Sequence, residues 1–277
     1  MSLRVVVVTR IPPVFLGFHQ AVLDAGHEPV ALLTLADESP FVPELLRSVP
    51  AGLDVLMPGM RSAVAPLLEA VKPDLVLCMG FPWKIPAEAL AVPRLGWLNG
   101  HPSQLPRHRG PVPIAWAIRN GDEDIGISFH FMDADLDTGP VVARASMPLG
   151  DWAEPEELYG RLAPVIVETL GEALRRIETG ERGTVQPDGG EYETFFSASD
   201  VWLDPALTAS ELYRLVWAWH FTIPYETERG PLVDLDGETV RVLRASLEPV
   251  EDAPRFECSN GPLWLVTTEP LVSPPTA

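Results

Sequence analysis

The densest polar cluster in the first half of the chain runs Asn99-Gly100-His101-Pro102-Ser103-Gln104-Leu105-Pro106-Arg107-His108-Arg109-Gly110. A second cluster follows at Met132-Asp133-Ala134-Asp135-Leu136-Asp137-Thr138-Gly139. Asn99 and His101 are two residues apart, so on extended chain they face the same side. An Asn amide donates to a developing oxyanion, a His moves a proton, and an Asp orients the ring and holds its charge. Each residue also has a plain alternative. A His beside Pro and Gly is commonly a polar loop residue, and an acidic stretch such as 133–137 is commonly a solvated turn or helix cap. His101, His108 and His130 with an Asp are chemically able to ligate zinc. Their spacings are not those of a metal helix or finger, so no metal is expected. A serine nucleophile lacks its G-x-S-x-G elbow.

These clusters need a scaffold, and the first half alternates strand and helix. Leu3–Thr9 is an apolar, β-branched run, followed by helical spacing over Phe15–Ala25 that Gly26 stops. Pro29–Thr34 reads as a strand, Ser62–Val71 as a helix, Asp74–Met79 as a strand, and Gly96–Asn99 as the end of another. This order implies an α/β, Rossmann-like parallel sheet with helices on both faces. In such sheets ligand sites lie at the carboxyl ends of strands, where both polar clusters are expected. The first turn, Thr9-Arg10-Ile11-Pro12-Pro13, lacks the glycines that let a dinucleotide approach, so NAD is not expected there. Pro155–Thr179 reads as a long helix kinked or restarted at Pro164. A Gly-rich linker ends at Gly190, and beyond it come a helix over Ala209–Trp219 and strands at Leu232–Leu235, Thr239–Ala245 and Leu263–Thr267. The expected organisation is therefore a catalytic domain over 1–189 and a small β-rich, open-barrel-like domain over 190–277, with a frayed end at Ser273–Ala277.

The chain has 277 residues, enough to bury a core without disulfide or metal staples. Its two cysteines are far apart, no signal peptide is evident and no apolar run is long enough to span a membrane, so a reducing cytoplasm is expected. The formal net charge is −19, and residues 190–277 hold 5 Lys+Arg against 15 Asp+Glu. Nucleic-acid binders show a basic footprint, and neither part of the chain is basic overall.

The stretch from Pro93 to Pro111 resembles the signature of the folate-dependent formyltransferases. The family pattern is Asn-x-His, then Ser-Leu-Leu-Pro-x-x-Arg-Gly, then a Leu-Asp-Thr-Gly loop, and here it reads Asn99-Gly100-His101, Ser103 to Gly110, and Leu136-Asp137-Thr138-Gly139. Similarity continues through Val71–Pro86 and, faintly, into Ser210–Ala218 and Val240–Ser246. Gln104 departs from the usual leucine, and the paired prolines of the first turn are unusual. The resemblance implies 10-formyltetrahydrofolate as formyl donor, with Asn99 as oxyanion donor, His101 as proton shuttle and Asp137 as its orienting charge. It implies donor binding by Phe81, Trp83, Ile85, Ser103, Gln104, Leu105, Pro106, Asp133 and Asp135. Arg10, Pro12, Arg107 and Arg109 would face the acceptor, although Arg107 and Arg109 equally suit the loop or the folate tail.

Charge then steers the choice of acceptor. An acidic protein suits a small cationic amine and opposes a tRNA backbone. The expectation is a small-molecule amine acceptor, no nucleic acid, no membrane, and a homodimer left open. The alternatives are a sugar nucleotide, methionyl-tRNA, a non-catalytic folate-binding homologue and a formyltetrahydrofolate hydrolase. The second domain's Trp202, Trp217, Trp219 and Phe221 are too many to be all surface, and most are expected in packing.

Overall fold

The structure, a computed structural model, describes residues 2–36, 39–222 and 230–271. The expected frayed end at 273–277 lies outside them. The chain separates into two compact units. One comprises 1–109, 126–147 and 159–191, and the other 110–125, 148–158 and 192–277. This differs from a single cut between 189 and 190. Two earlier segments are bonded to the C-terminal part of the same unit: Trp116 Nε1 donates to Thr194 O at 2.8 Å and Trp217 Nε1 to Ala153 O at 2.9 Å.

The elements run β1 (Arg4–Val8), α1 (Pro12–Asp24), β2 (Glu28–Leu33), α2 (Val42–Ser48), β3 (Asp54–Leu56), α3 (Val64–Val71), β4 (Leu75–Cys78) and α4 (Ala87–Leu90). They continue with β5 (Trp97–His101), α5 (Pro113–Asn120), β6 (Asp124–Phe131), β7 (Val141–Pro148) and α6 (Pro155–Glu178). Seven strands form one sheet in the order β3-β2-β1-β4-β5-β6-β7. The neighbours from β3 to β5 are parallel, and β6 runs antiparallel to β5. The sheet is Rossmann-like and mostly parallel. Central strands β1 and β4 are continuous apolar runs because both of their faces are covered, and Val5–Val8 and Leu75–Cys78 are all buried.

Local chemistry explains where the expected boundaries moved. Helix α1 starts at Pro12, three residues before Phe15, because two prolines at its first turn have φ preset and no N–H to leave unpaired. Ile11 N donates to Thr9 Oγ1 at 3.1 Å, closing the turn before it. Of the kink or restart expected at Pro164, the restart does not occur, since α6 is one helix of 24 residues. Proline has no N–H to donate to the Gly160 carbonyl one turn earlier, and Gly160 lies on an exposed part of the helix.

In the second unit, α7 (Ala209–Trp219) begins at a capping box: Glu211 N donates to Thr208 Oγ1 at 3.3 Å, and Thr208 N to Glu211 Oε2 at 2.7 Å. The antiparallel strands β8 (Leu232–Leu235), β9 (Glu238–Ser246), β10 (Arg255–Cys258) and β11 (Gly261–Pro270) pair in the order β10-β11-β9-β8. Asp236 and Gly237, both at positive φ, make the two-residue turn between β8 and β9. Register shifts between Leu265 and Thr268 add the local twist that curls the sheet into an open half-barrel. Its core joins Leu212, Leu215, Val216 and Trp219 to Val233, Val242, Leu263 and Leu265. Trp217, Trp219 and Phe221 are buried, whereas Trp202 is 45% exposed and outside the expected packing.

Candidate active site

Strand β5 delivers both candidate side chains, as alternation requires. Between them, Gly100 admits an aromatic ring against the backbone: a Cβ there would sit 2.9 Å from Phe129 Cε1 and 3.4 Å from Met79 Sδ. His101, at the end of β5, is buried. Its Nε2 lies 2.7 Å from His108 O, and a carbonyl only accepts, so Nε2 carries a proton. Its Nδ1 faces Asp137 Oδ1 at 3.6 Å, looser than a hydrogen bond but within ion-pair range. In neutral His101 Nδ1 is therefore the basic nitrogen, and a proton taken up there meets the Asp137 carboxylate.

Burial pulls the His101 pKa below the ordinary imidazole value, and the Asp137 charge and the His108 carbonyl pull the other way. His130 and His108 add to the lowering. Burial wins, so the ring is a neutral proton acceptor at neutral pH. The same carboxylate reaches β4: burial first, then the Asp137 charge, pushes the Cys78 thiol up to about 12, leaving it unreactive.

Asp137 does not reach the site as the end of a parallel strand. Because β6 is antiparallel to β5, with Asn99 opposite His130 and His101 opposite Ser128, the end of β6 lies beside the start of β5. The loop 132–139 carries the carboxylate back. Asp137 sits at φ +59°, a left-handed conformation that Asp tolerates better than most residues. Phe131 N donates to Pro140 O at 2.9 Å and closes the loop. Asp133 braces it inside, accepting from Thr138 Oγ1 at 2.7 Å and from Asp135 N at 3.2 Å.

The residue that sequence reasoning missed is His130, considered only as a zinc ligand. Its Nδ1 donates to Phe131 O at 3.0 Å, which leaves Nε2 to accept from Asn99 Nδ2 at 3.1 Å. His130 Nε2 also lies 3.6 Å from Asp137 Oδ1. Asn99, His130, Asp137 and His101 thus form one continuous polar cluster. The signal was present in β6, where Ile125, Ile127 and Phe129 fill one face while buried Ser128 and His130 occupy the other.

The formyl transferase family model matches residues 58–174, which contain the whole cluster. A methionyl-tRNA formyltransferase of Alcanivorax borkumensis is 35% identical over 241 residues, covering 83% of this chain and 71% of the relative. The chain belongs to the folate-dependent formyltransferase family. The fold agrees with HypX from Aquifex aeolicus in complex with tetrahydrofolic acid, at TM-score 0.68 and 19% identity, over 98% of this chain and 45% of HypX. It agrees equally with a sugar N-formyltransferase from a Shewanella species, at TM-score 0.68 and 19% identity, over 90% of this chain and 99% of that one. The curated relatives overturn the expectation of a small amine acceptor with no nucleic-acid partner, since the acceptor in their name is a tRNA. The physical fault lay in using net charge. Charges beyond a Debye length, about 8 Å, are screened, so −19 summed over a whole surface does not decide a local contact. No helix among the described residues is long and apolar enough to cross a membrane, and no cluster of metal-ligating side chains occurs among them.

In this formyltransferase the residues expected to hold the donor separate into two groups. Ile85 and Asp133 line a cavity of about 610 Å³ with Arg61, Lys84, Leu90 and Met132. Phe81 and Trp83, edge to face at 5.8 Å, pack with Met132 on the core beside it. Asp135 is on the exposed side of its loop. Ser103, Gln104, Leu105 and Pro106 are outside the cavity lining and build the turn after β5. Ser103 Oγ donates to Arg107 O at 2.7 Å, Leu105 N to Ser128 Oγ at 3.1 Å, and the Gln104 side chain packs on Gly126. Of the acceptor-side candidates, Pro12 is buried at the start of α1, Arg10 precedes it, and Arg107 is exposed. Arg109 takes the loop role, with Nη2 2.8 Å and Nε 3.3 Å from Gln186 Oε1.

Proposed function

We propose that this enzyme transfers the formyl group of 10-formyltetrahydrofolate to the amino group of methionyl-tRNA. The observation that carries the reading is 35% identity to a methionyl-tRNA formyltransferase across 83% of the chain, in a sequence that itself holds the Asn99, His101 and Asp137 pattern. The cavity bounded by the 132–134 part of the loop that carries Asp137 is read as the donor site, with Asn99, His101 and Asp137 outside its lining. At about 610 Å³ it lies within the usual range for small-ligand sites, and apolar Ile85, Leu90 and Met132 suit a flat ring. Arg61 and Lys84 in its lining suit the donor's carboxylates.

The bound donor supplies a formyl carbon whose oxygen gains negative charge as the acceptor amine adds and gives it back as the folate nitrogen departs. Asn99 has two amide hydrogens; His130 holds one, and the other stabilises that charge. One such donor is worth about 3–4 kcal/mol of barrier. His101 Nδ1 takes the proton that the amine loses as its N–C bond forms. It returns the proton to the folate nitrogen as the old C–N bond breaks. Asp137 holds the transient imidazolium by charge.

Two expected results follow. His101 must be neutral to accept a proton, so of the two acid limbs of kcat/KM, the acceptor amine's and the ring's, the ring's lies below about pH 6.5, the ordinary imidazole value. Asp137 raises the His101 pKa, so Asp137→Asn moves that limb to still lower pH while reducing kcat. A pH–rate profile in which the limb stays or rises contradicts the assignment. For the acceptor, the purified enzyme is given 10-formyltetrahydrofolate with methionyl-tRNA, free methionine or a nucleotide-linked amino sugar. Formylmethionine released from the tRNA product and read by mass spectrometry is the expected outcome. Formylation of the amino sugar alone sinks the reading. With Arg10 and Arg107 as phosphate contacts, KM for the tRNA rises only about tenfold between 50 and 200 mM salt, as about two phosphates imply.

A further inference from the structure

Gln186 lies in the Gly- and Pro-containing stretch that the sequence presents as a linker, yet it is one of the few buried polar side chains, at 9% exposure. Its amide makes four hydrogen bonds, the full capacity of the group. Nε2 donates to Asp137 O and to Gly139 O, both at 2.8 Å. Oε1 accepts from Arg109 Nε at 3.3 Å and Nη2 at 2.8 Å. Backbone pairing sets the reach of the side chain: Thr184 and Val141 exchange N–H···O bonds of 2.8 and 2.9 Å, docking the stretch beside the start of β7. Gly183 permits this approach, since a Cβ there would lie 2.8 Å from Val141 O.

The two loops joined by this amide act on opposite nitrogens of one ring. Residues 137–139 hold the carboxylate that faces His101 Nδ1, and Arg109 adjoins His108, whose carbonyl accepts from His101 Nε2. Asp137 sits at φ +59° and His108 at φ +55°, both in the left-handed region. For residues other than glycine such conformations persist when their surroundings over-determine them. Gln186 supplies that constraint to both sides at once.

We propose that Gln186, acting with Arg109, is a positioning residue that sets the alignment of Asp137 and the His108 carbonyl on the two nitrogens of His101. The proposal rests on the reading of His101 and Asp137 as the proton-handling pair. Gln186→Met keeps length and bulk and removes all four hydrogen bonds. The charged and titratable groups facing His101 are Asp137, His130 and His108; the Asp137 charge and the hydrogen bond to the His108 carbonyl raise its pKa, and the His130 and His108 rings lower it. A displaced Asp137 therefore lowers the His101 pKa further.

The test combines kinetics with NMR titration of the His101 ring, its signal assigned by absence in His101→Ala. Gln186→Met is expected to lower kcat about 10- to 50-fold, with KM for 10-formyltetrahydrofolate within twofold of the parent, and to move the His101 titration to lower pH. Arg109→Ala is expected to move both readouts the same way by less, and Arg109→Lys to recover part of the loss. The double variant should be no worse than Gln186→Met. A folded Gln186→Met protein with unchanged kcat and unchanged His101 titration overturns the proposal. If Gln186→Met does not fold, the Arg109→Ala titration decides: a shift supports the coupling and no shift overturns it. Full activity in His101→Ala would instead remove the catalytic reading, while the titration of Gln186→Met still reports whether the coupling exists.

Discussion

His101→Ala is expected to lower kcat by about a thousandfold or more, within the range that a lost general acid–base group produces. Asn99→Ala is expected to cost about 10²–10³-fold, as for a missing oxyanion donor. The two act on one event, because the charge on the formyl oxygen and the proton on the amine change together. The double variant should therefore fall far short of the product of the single effects. Structure gives a second reason for coupling. Asn99 bonds to His130, His130 lies 3.6 Å from Asp137, and Asp137 lies 3.6 Å from His101, so each side chain is held partly by the next. The measurement is single-turnover formyl transfer at saturating donor, with circular dichroism to establish that each variant is folded. Near-parental turnover in folded His101→Ala would remove the ring from the chemistry. Fully multiplicative losses would separate oxyanion stabilisation from proton transfer.

How much of this arrangement the residues announced differs from element to element, for physical reasons. Asn99 and His101 were legible because strand alternation is a local rule: two residues two apart face one side wherever the strand lies. The buried strands β1 and β4 were legible for the same kind of reason, as continuous apolar runs between breakers. The direction of β6 was not, since an alternating pattern is the same read either way along the sheet. That hid how Asp137 gets home, by a returning loop and not by a strand end. Gln186 was hidden more deeply. Its partners lie 77 and 49 residues away, and glycines and a proline around it read locally as linker. Charge misled about the acceptor because a sum over the whole chain discards position, whereas a phosphate contact depends on the few cations within a Debye length.

Gly139→Ala is expected to reduce kcat by about a hundredfold and stability by about 1–3 kcal/mol, the usual range for overpacking. Its cause is purely steric, because Gly139 is not among the glycines at positive φ. A Cβ at this position would overlap the carbonyl of Phe131 and come within 3.5 Å of Asp133 Oδ2. Neither neighbour yields cheaply. The Phe131 carbonyl accepts from His130 Nδ1, the bond that fixes the ring against Asn99, and Asp133 is the brace for Thr138 and Asp135. Relief has to come from residues 137–139 moving away, which carries Asp137 off His101 and strains both Gln186 bonds. A displacement of about 1 Å at a catalytic group costs on the order of a hundredfold in rate. Gly160→Ala is the matched control. It makes the same chemical change in an exposed turn of α6, where a Cβ meets nothing within 4 Å. There alanine's helix propensity should raise stability by about 0.5–1 kcal/mol and leave kcat unchanged. Urea unfolding and kcat on the two variants read the contrast. Equal stability and equal turnover in both would mean that the 137–139 loop relaxes freely and does not hold Asp137 in place.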